Sequence, residues 1–186
     1  LPYFCHMMDK NGFVSRLGKT ITEFFRYRVT PEQLETMSNQ EGLSHSVQDK
    51  CRDMASIYRR YEEFLSETYL TGDTTLSLLE EKLASSAAFG DTEIWLDGFY
   101  GFTPQEYGVI AQLLRLCKRV SITLPMDEHS YFASSLPPAA PFFEPHLTKQ
   151  KLVSLAEEMG IAMESPVFFK ENHRAKTPAL AFLRVL

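Results

Sequence analysis

The run Glu93-Ile94-Trp95-Leu96-Asp97-Gly98-Phe99 constrains this chain more than any other stretch. A short apolar segment ends on a single acid, the glycine-containing turn Tyr100-Gly101-Phe102 follows, and Thr103-Pro104-Gln105-Glu106 opens a helix. Tyr107, Ile110, Leu113, Leu114 and Cys117 continue that helix at apolar spacing over 103–117, and Val120 to Leu124 reads as a second strand. Strand, helix and strand within so short a span make a βαβ unit with a parallel pair, right-handed by default. In open α/β sheets ligands sit beyond the carboxyl ends of the strands, where Asp97 is expected to project.

The residues before this unit are helical in pattern and offer no strand. Phe13, Val14, Leu17, Ile21, Phe24 and Phe25 recur at helical spacing over 13–28. Thr30-Pro31-Glu32-Gln33 supplies an N-cap hydroxyl, a proline suited to the first helical position and a glutamine at the capping-box position. A short helix to about Met37 is expected there. From Ser46 to Tyr69, Val47, Cys51, Met54, Tyr58, Tyr61 and Leu65 step by alternating fours and threes, with Ile57 and Phe64 widening the stripe. That pattern predicts a long amphipathic helix. Gly72 is expected to stop it, and Asp73 to begin another helix that ends near Phe89-Gly90, with Leu76, Leu79, Leu83 and Ala87 inward.

Beyond the βαβ unit, Met126 to Pro145 carries Pro137-Pro138, Pro141 and Pro145 among aromatics and reads as a long surface loop. A helix over 146–159, a third strand at Val167 to Phe169 and a last helix from Thr177-Pro178 complete the expectation. The organisation is thus a helical lobe over residues 1–89 and a separate α/β region over 90–186.

Composition narrows the function classes. Hydrophobic residues make up 44% of the 186, enough for a real core. No run approaches the roughly 18 apolar residues of a membrane span, so no membrane partner is expected. The N-terminal Leu1-Pro2-Tyr3-Phe4-Cys5-His6 has neither a basic leader nor a cleavage site, and it reads as a chain entered mid-course. Cys5, Cys51 and Cys117 share no metal or redox spacing, which points to thiols in a reducing compartment, the cytoplasm. The net charge of −5 has no basic half: residues 1–90 carry 10 Lys/Arg against 13 Asp/Glu, and the rest 9 against 11. Charge alone therefore makes no case for DNA binding.

Several residues carry potential chemistry. Gly18-Lys19-Thr20 is not a phosphate loop, because G-x-x-x-x-G-K-S/T needs glycine at position 13, which is Phe13, and a preceding strand. Asp97 at a strand end is placed to hold Mg²⁺ through water opposite a nucleotide phosphate, or simply to cap the next helix. Trp95, in mid-strand, is expected in the core, whereas Phe99, Tyr100 and Phe102 lie on the turn. Aromatics beside a cleft can stack bases, and Tyr100 is the open candidate for a DNA strand contact. His173 has no second ligand at metal spacing and reads as a packed or surface histidine. No catalytic residue and no metal site is assigned.

The run Leu96 to Glu106 resembles motif II of superfamily 1 DNA helicases, which reads roughly D-E-F-Q-D. Glu171-Asn172-His173-Arg174 resembles the N-Y-R-S element at the entry to their second RecA-like domain. The D-G-F-x-x-F-T-P-Q-E form, with Lys118-Arg119-Val120-Ser121-Ile122-Thr123-Leu124 and Phe143-Glu144-Pro145, is similar to the AddB (RexB) family, second subunit of the bacterial AddAB helicase–nuclease. That resemblance extends over most of the chain. It implies an incomplete RecA-like (P-loop NTPase-type) parallel sheet beside a helicase-insertion-like helical lobe, cut from a larger parent. The parent is expected to use ATP and Mg²⁺, to carry a 4Fe-4S cluster in a C-terminal nuclease, and to pair with the AddA motor-nuclease subunit. Its DNA is the broken duplex and the Chi-containing single strand of homologous recombination; no cofactor is expected within this chain itself.

The departures from the motor pattern have a chemical meaning. Where an active motor places the glutamate that activates water, this chain has Gly98, and the coupling Gln and Asp correspond to Tyr100 and Gly101. General-base catalysis is worth about 10²–10⁴-fold, so hydrolysis at this motif is expected to be slow or absent. Asn172 and Arg174 match N-Y-R-S while His173 and Ala175 do not; Arg174 therefore reads as an inherited triphosphate contact or as an ordinary ion-pair partner. The competing reading is a free-standing phosphoryl-transfer or receiver-type α/β domain using Asp97, and it expects further acids at an earlier strand end. A third is an interaction module docking through the 46–69 stripe, which fails if that stripe packs inside the helical lobe.

Overall fold

The structure, a computed structural model, describes residues 1–68 and 72–169, with the backbone alone at 66–68 and 72–74. The motif expected around Arg174 and the helix expected from Thr177 lie outside the described residues. The chain divides into two compact units, one of Leu1–Leu96 with Phe102–Ile122, the other of Asp97–Gly101 with the residues from Thr123 onward. It is mixed α/β and mostly helical: α1 (Phe13–Arg26), α2 (Pro31–Ser38), α3 (His45–Thr68), α4 (Gly72–Ala84), β1 (Glu93–Leu96), α5 (Pro104–Leu116), β2 (Arg119–Ile122), α6 (Glu128–Phe132) and α7 (Phe143–Glu158).

The first unit is built on the amphipathic pattern. Ile21 of α1, Leu34 of α2 and Met54, Ala55 and Tyr58 of α3 form its buried centre with Phe4, and Phe24, Phe25 and Tyr61 pack around it. Phe25 meets Tyr58 edge-on at 5.2 Å between ring centroids. Helix α2 starts where its local chemistry dictates: Thr30 Oγ1 accepts from Gln33 N, and Gln33 Oε1 accepts from Thr30 N. Arg59 of α3 then reaches back to Glu35 at 2.7 Å and Glu32 at 3.3 Å. The middle of the α3 stripe is therefore core, and the interaction-module reading loses its basis. Leu65 at the far end of the stripe is buried as well, whereas Val47 at its start, the flanking Phe64 and Val14 of α1 are exposed.

Asp53 is the buried acid of this unit. Only 2% exposed, it accepts backbone N–H bonds from Tyr3 at 2.9 Å and Phe4 at 3.1 Å through Oδ2, which fastens the N-terminal turns onto α3.

Strands β1 and β2 pair in parallel, with Glu93 opposite Arg119 and Leu96 opposite Ile122. Two strands are the whole sheet among the described residues. That explains one correction: Trp95, expected in the core, is 64% exposed. Successive side chains of a strand point to opposite faces, and the face bearing Glu93 and Trp95 is solvated. Helix α5 is capped by Thr103, whose Oγ1 accepts from Glu106 N while Glu106 accepts from Thr103 N at 2.6 Å.

In the second unit two expectations fail for tertiary reasons. The expected loop over 126–145 contains α6, N-capped by Asp127, which accepts from Ser130 N at 2.6 Å. Three side chains of α7 satisfy carbonyls at the end of α6 and just beyond it. His146, 1% exposed, donates from Nδ1 to Ser130 O at 2.9 Å and accepts at Nε2 from Gln150. Lys149 donates to Tyr131 O at 2.9 Å, and Gln150 to Ser134 O at 3.3 Å. Helix α7 itself begins at Phe143, with Pro145 in the first turn where its missing N–H has no intrahelical partner to lose. Val167 to Phe169 forms no strand; Phe168 instead packs on the rings of Tyr131 and Phe132 at 5.5 and 5.8 Å.

Candidate functional site

Asp97 follows β1 directly, as Thr123 follows β2, and the parallel register that pairs Leu96 with Ile122 brings the two next residues opposite one another. Thr123 Oγ1 donates to Asp97 Oδ1. Asp97 is exposed and is not the cap of α5, because Thr103 holds that position. The helix-cap reading of Asp97 is thereby replaced by a strand-end carboxylate oriented by a neighbouring hydroxyl.

Gly98 adopts φ +86°, in the left-handed region that glycine enters without steric penalty. Nothing lies within 4 Å of the position its Cβ would take, so the residue is fixed by backbone conformation and not by crowding. The turn continues through Tyr100, whose carbonyl accepts from Thr148 Oγ1 of α7 at 3.0 Å. Gly101 lets that helix come close, since a Cβ there would stand 3.2 Å from the same hydroxyl. One threonine thus holds each end of the 97–101 turn. The Tyr100 side chain is displayed to solvent, 66% exposed.

The described residues do not bring Asp97 together with the other expected contact, Arg174, which lies outside them. Thr123 and Thr148 escape a reading of the sequence: each is 26 or more residues from its partner, and neither belongs to a local motif. The strand-to-strand register is the signal that finds Thr123, once β1 and β2 are aligned from their first residues.

The donor chemistry can be tested against the expected cofactors. Mg²⁺ takes six oxygens in near-octahedral geometry, usually one or two carboxylates with phosphate oxygens and water. Asp97 and Thr123 offer one carboxylate and one hydroxyl, and no group of three His, Cys, Asp or Glu suited to a metal occurs among the described residues. A self-contained magnesium site does not fit. A 4Fe-4S cluster needs four thiolates, and Cys5, Cys51 and Cys117 are three free cysteines on separate elements. No helix among the described residues is long and apolar enough to cross a membrane.

These features define a mostly helical α/β protein that keeps an oriented acid at the end of a parallel strand and a left-handed glycine after it. The chain belongs to the family described as "ADDB, N-terminal", whose model matches residues 1–184. It is 40% identical, over 90% of its length, to an ATP-dependent helicase/deoxyribonuclease subunit from Caldanaerobacter subterraneus subsp. tengcongensis. Proteins of the same name from a Thermoanaerobacter species and from Listeria monocytogenes are 36% and 35% identical over 94% and 98% of the chain. The chain spans only 14–16% of the length of these relatives. Their name makes each of them one subunit of a helicase and deoxyribonuclease, so a partner subunit is implied for them.

Proposed function

We propose that this chain works as part of a longer helicase/deoxyribonuclease subunit, as a catalytically silent helicase-like scaffold that guides DNA during double-strand-break processing in homologous recombination. The observation that carries the reading is the pair Asp97–Gly98: an oriented strand-end acid followed by a residue with neither a carboxylate nor the backbone conformation of an ordinary side chain. A motor needs a base there to activate water. On this reading residues 1–89 are an insertion-like helical lobe and 90–186 part of a RecA-like sheet, with Asp97 and Arg174 as inherited, degenerate nucleotide and Mg²⁺ contacts. Tyr100, held out by the Thr148-anchored turn, is the candidate single-strand contact.

The remainder of the parent supplies what this chain lacks. On this reading ATP, Mg²⁺ and the 4Fe-4S cluster belong to other parts of the longer subunit, which pairs with the AddA motor-nuclease subunit, all in the cytoplasm. The test uses the whole subunit complexed with its partner. Tyr100→Ala is expected to weaken single-strand binding about five- to hundredfold, the range for losing one base–aromatic stack. Asp97→Ala is expected to leave the rate of DNA unwinding within about twofold, well below the effect of losing a general base. Unwinding stopped by Asp97→Ala, with nucleotide turnover lost in parallel, contradicts the silent-motif reading.

A further inference from the structure

Gly108 lies in the interior of α5, where glycine is a poor helix former compared with alanine. The reason for it stands directly above. A Cβ at Gly108 would fall on the Arg28 guanidinium and the Glu80 carboxylate, with Glu80 Cδ at 2.6 Å. Arg28 comes from the connection between α1 and α2, Glu80 from α4, and the two form an ion pair. Arg28 has φ +54°, the one positive value among the described residues other than glycine, so its backbone is strained in the posture that aims the side chain across α5.

The same face of α5 carries two more polar ties. Gln105, almost fully buried, donates to Ser77 Oγ of α4 at 3.1 Å, and Arg115 donates to the Ala84 carbonyl at 3.0 Å. Positions 105, 108 and 115 share one helix face, so α5 meets α4 along a hydrophilic seam. Screening by salt does not weaken apolar contacts, but it does weaken the ion pair in a seam of this kind.

We propose that the Arg28–Glu80 pair is an ionic strap laid through the notch left by Gly108, a conformational device that keys α5 to α4 and to the α1–α2 connection. Both partners remain partly exposed, at 46% and 26% of their side chains, so ionic strength governs how firmly the strap holds. The helix that follows the Asp97 turn in sequence is thereby held in a position that salt, or an approaching charged partner, can loosen.

The test is a double-mutant cycle on the 186-residue chain, read by thermal midpoint and by amide exchange over Pro104–Leu116. In the unaltered chain Gly108→Ala displaces the strap, and the lost pair, worth up to about 1 kcal/mol, offsets the similar gain of alanine over glycine in a helix, so the midpoint is expected to change little. In a background carrying both Arg28→Ala and Glu80→Ala the notch has nothing to accommodate, and the same change is expected to raise the midpoint, as alanine does in an ordinary helix. A third variant, Glu80→Gln, keeps the bulk and removes the charge. It is expected to flatten the difference in α5 exchange between about 0.01 M and about 1 M salt, screening lengths of roughly 30 and 3 Å. Gly108→Ala raising the midpoint equally in both backgrounds, or a salt response that survives Glu80→Gln, overturns the strap.

Discussion

Removing Asp53 tests what fastens the N-terminal turns to the helical core. Its carboxylate is nearly inaccessible and accepts two backbone N–H bonds, from Tyr3 and Phe4, while Phe4 is itself a member of the buried cluster. Hydrogen bonds to a charged group contribute about 1.5–3 kcal/mol each, against about 1 for neutral pairs. Asp53→Ala loses both and leaves two donors to find water, which they do only if the turn peels away and Phe4 surrenders burial worth about 1.5–3 kcal/mol. Losing both bonds in place costs about 3–6 kcal/mol and peeling away costs about 1.5–3, so the cheaper route sets an expected loss of about 1.5–3 kcal/mol. Asp53→Asn keeps an acceptor of the same shape and forfeits only charge assistance, a loss of about 1 kcal/mol. Urea denaturation of the three proteins resolves the series, with the midpoint shifting and the slope unchanged. A loss below about 0.5 kcal/mol for Asp53→Ala, or equal losses for both variants, refutes the reasoning.

Two further outcomes follow from the same geometry. Gly98→Glu restores the residue type of an active motor but forces a side chain onto φ +86°; it is expected to destabilise the chain by about 1–2 kcal/mol and to bring no nucleotide turnover, checked by urea titration and a phosphate-release assay. Stability unchanged by that substitution contradicts the left-handed assignment. Burial, then the charge of Glu32, raises the carboxyl of Glu62 above its ordinary value, although Tyr58 donates to it. A raised acid favours the fold while protonated and loses that contribution as pH rises through the elevated value. Glu62→Gln is therefore expected to raise the thermal midpoint at pH about 7 and to change it little at pH about 4, near the unfolded value; equal differences at the two pH values contradict it.

Local chemistry is legible in the sequence, and long-range chemistry is not. The capping boxes at Thr30 and Thr103 are complete within four residues, so their helices start where the side chains say. The two parallel strands are visible in their apolar runs, to within a residue or two at their ends. Helix α6 escapes because it is five residues long and its closing carbonyls are satisfied from α7, up to 18 residues away. Only the Asp127 cap announces it. Trp95 is misplaced because an apolar strand residue reads as core only if both faces of the sheet are covered. At the candidate site Asp97 and Gly98 are visible as an acid and a gap. That the gap is a left-handed turn, and that two threonines hold its ends, depends on pairing the sequence does not display.

The proposed function rests on Asp97, an acid retained at the strand end, serving no hydrolysis. Steady-state Mg²⁺-ATP turnover by this chain, beside its Asp97→Ala variant, measures it directly. Equal rates at the level of uncatalysed background are predicted for both proteins; turnover by the unaltered chain that disappears in the variant contradicts the silent motif.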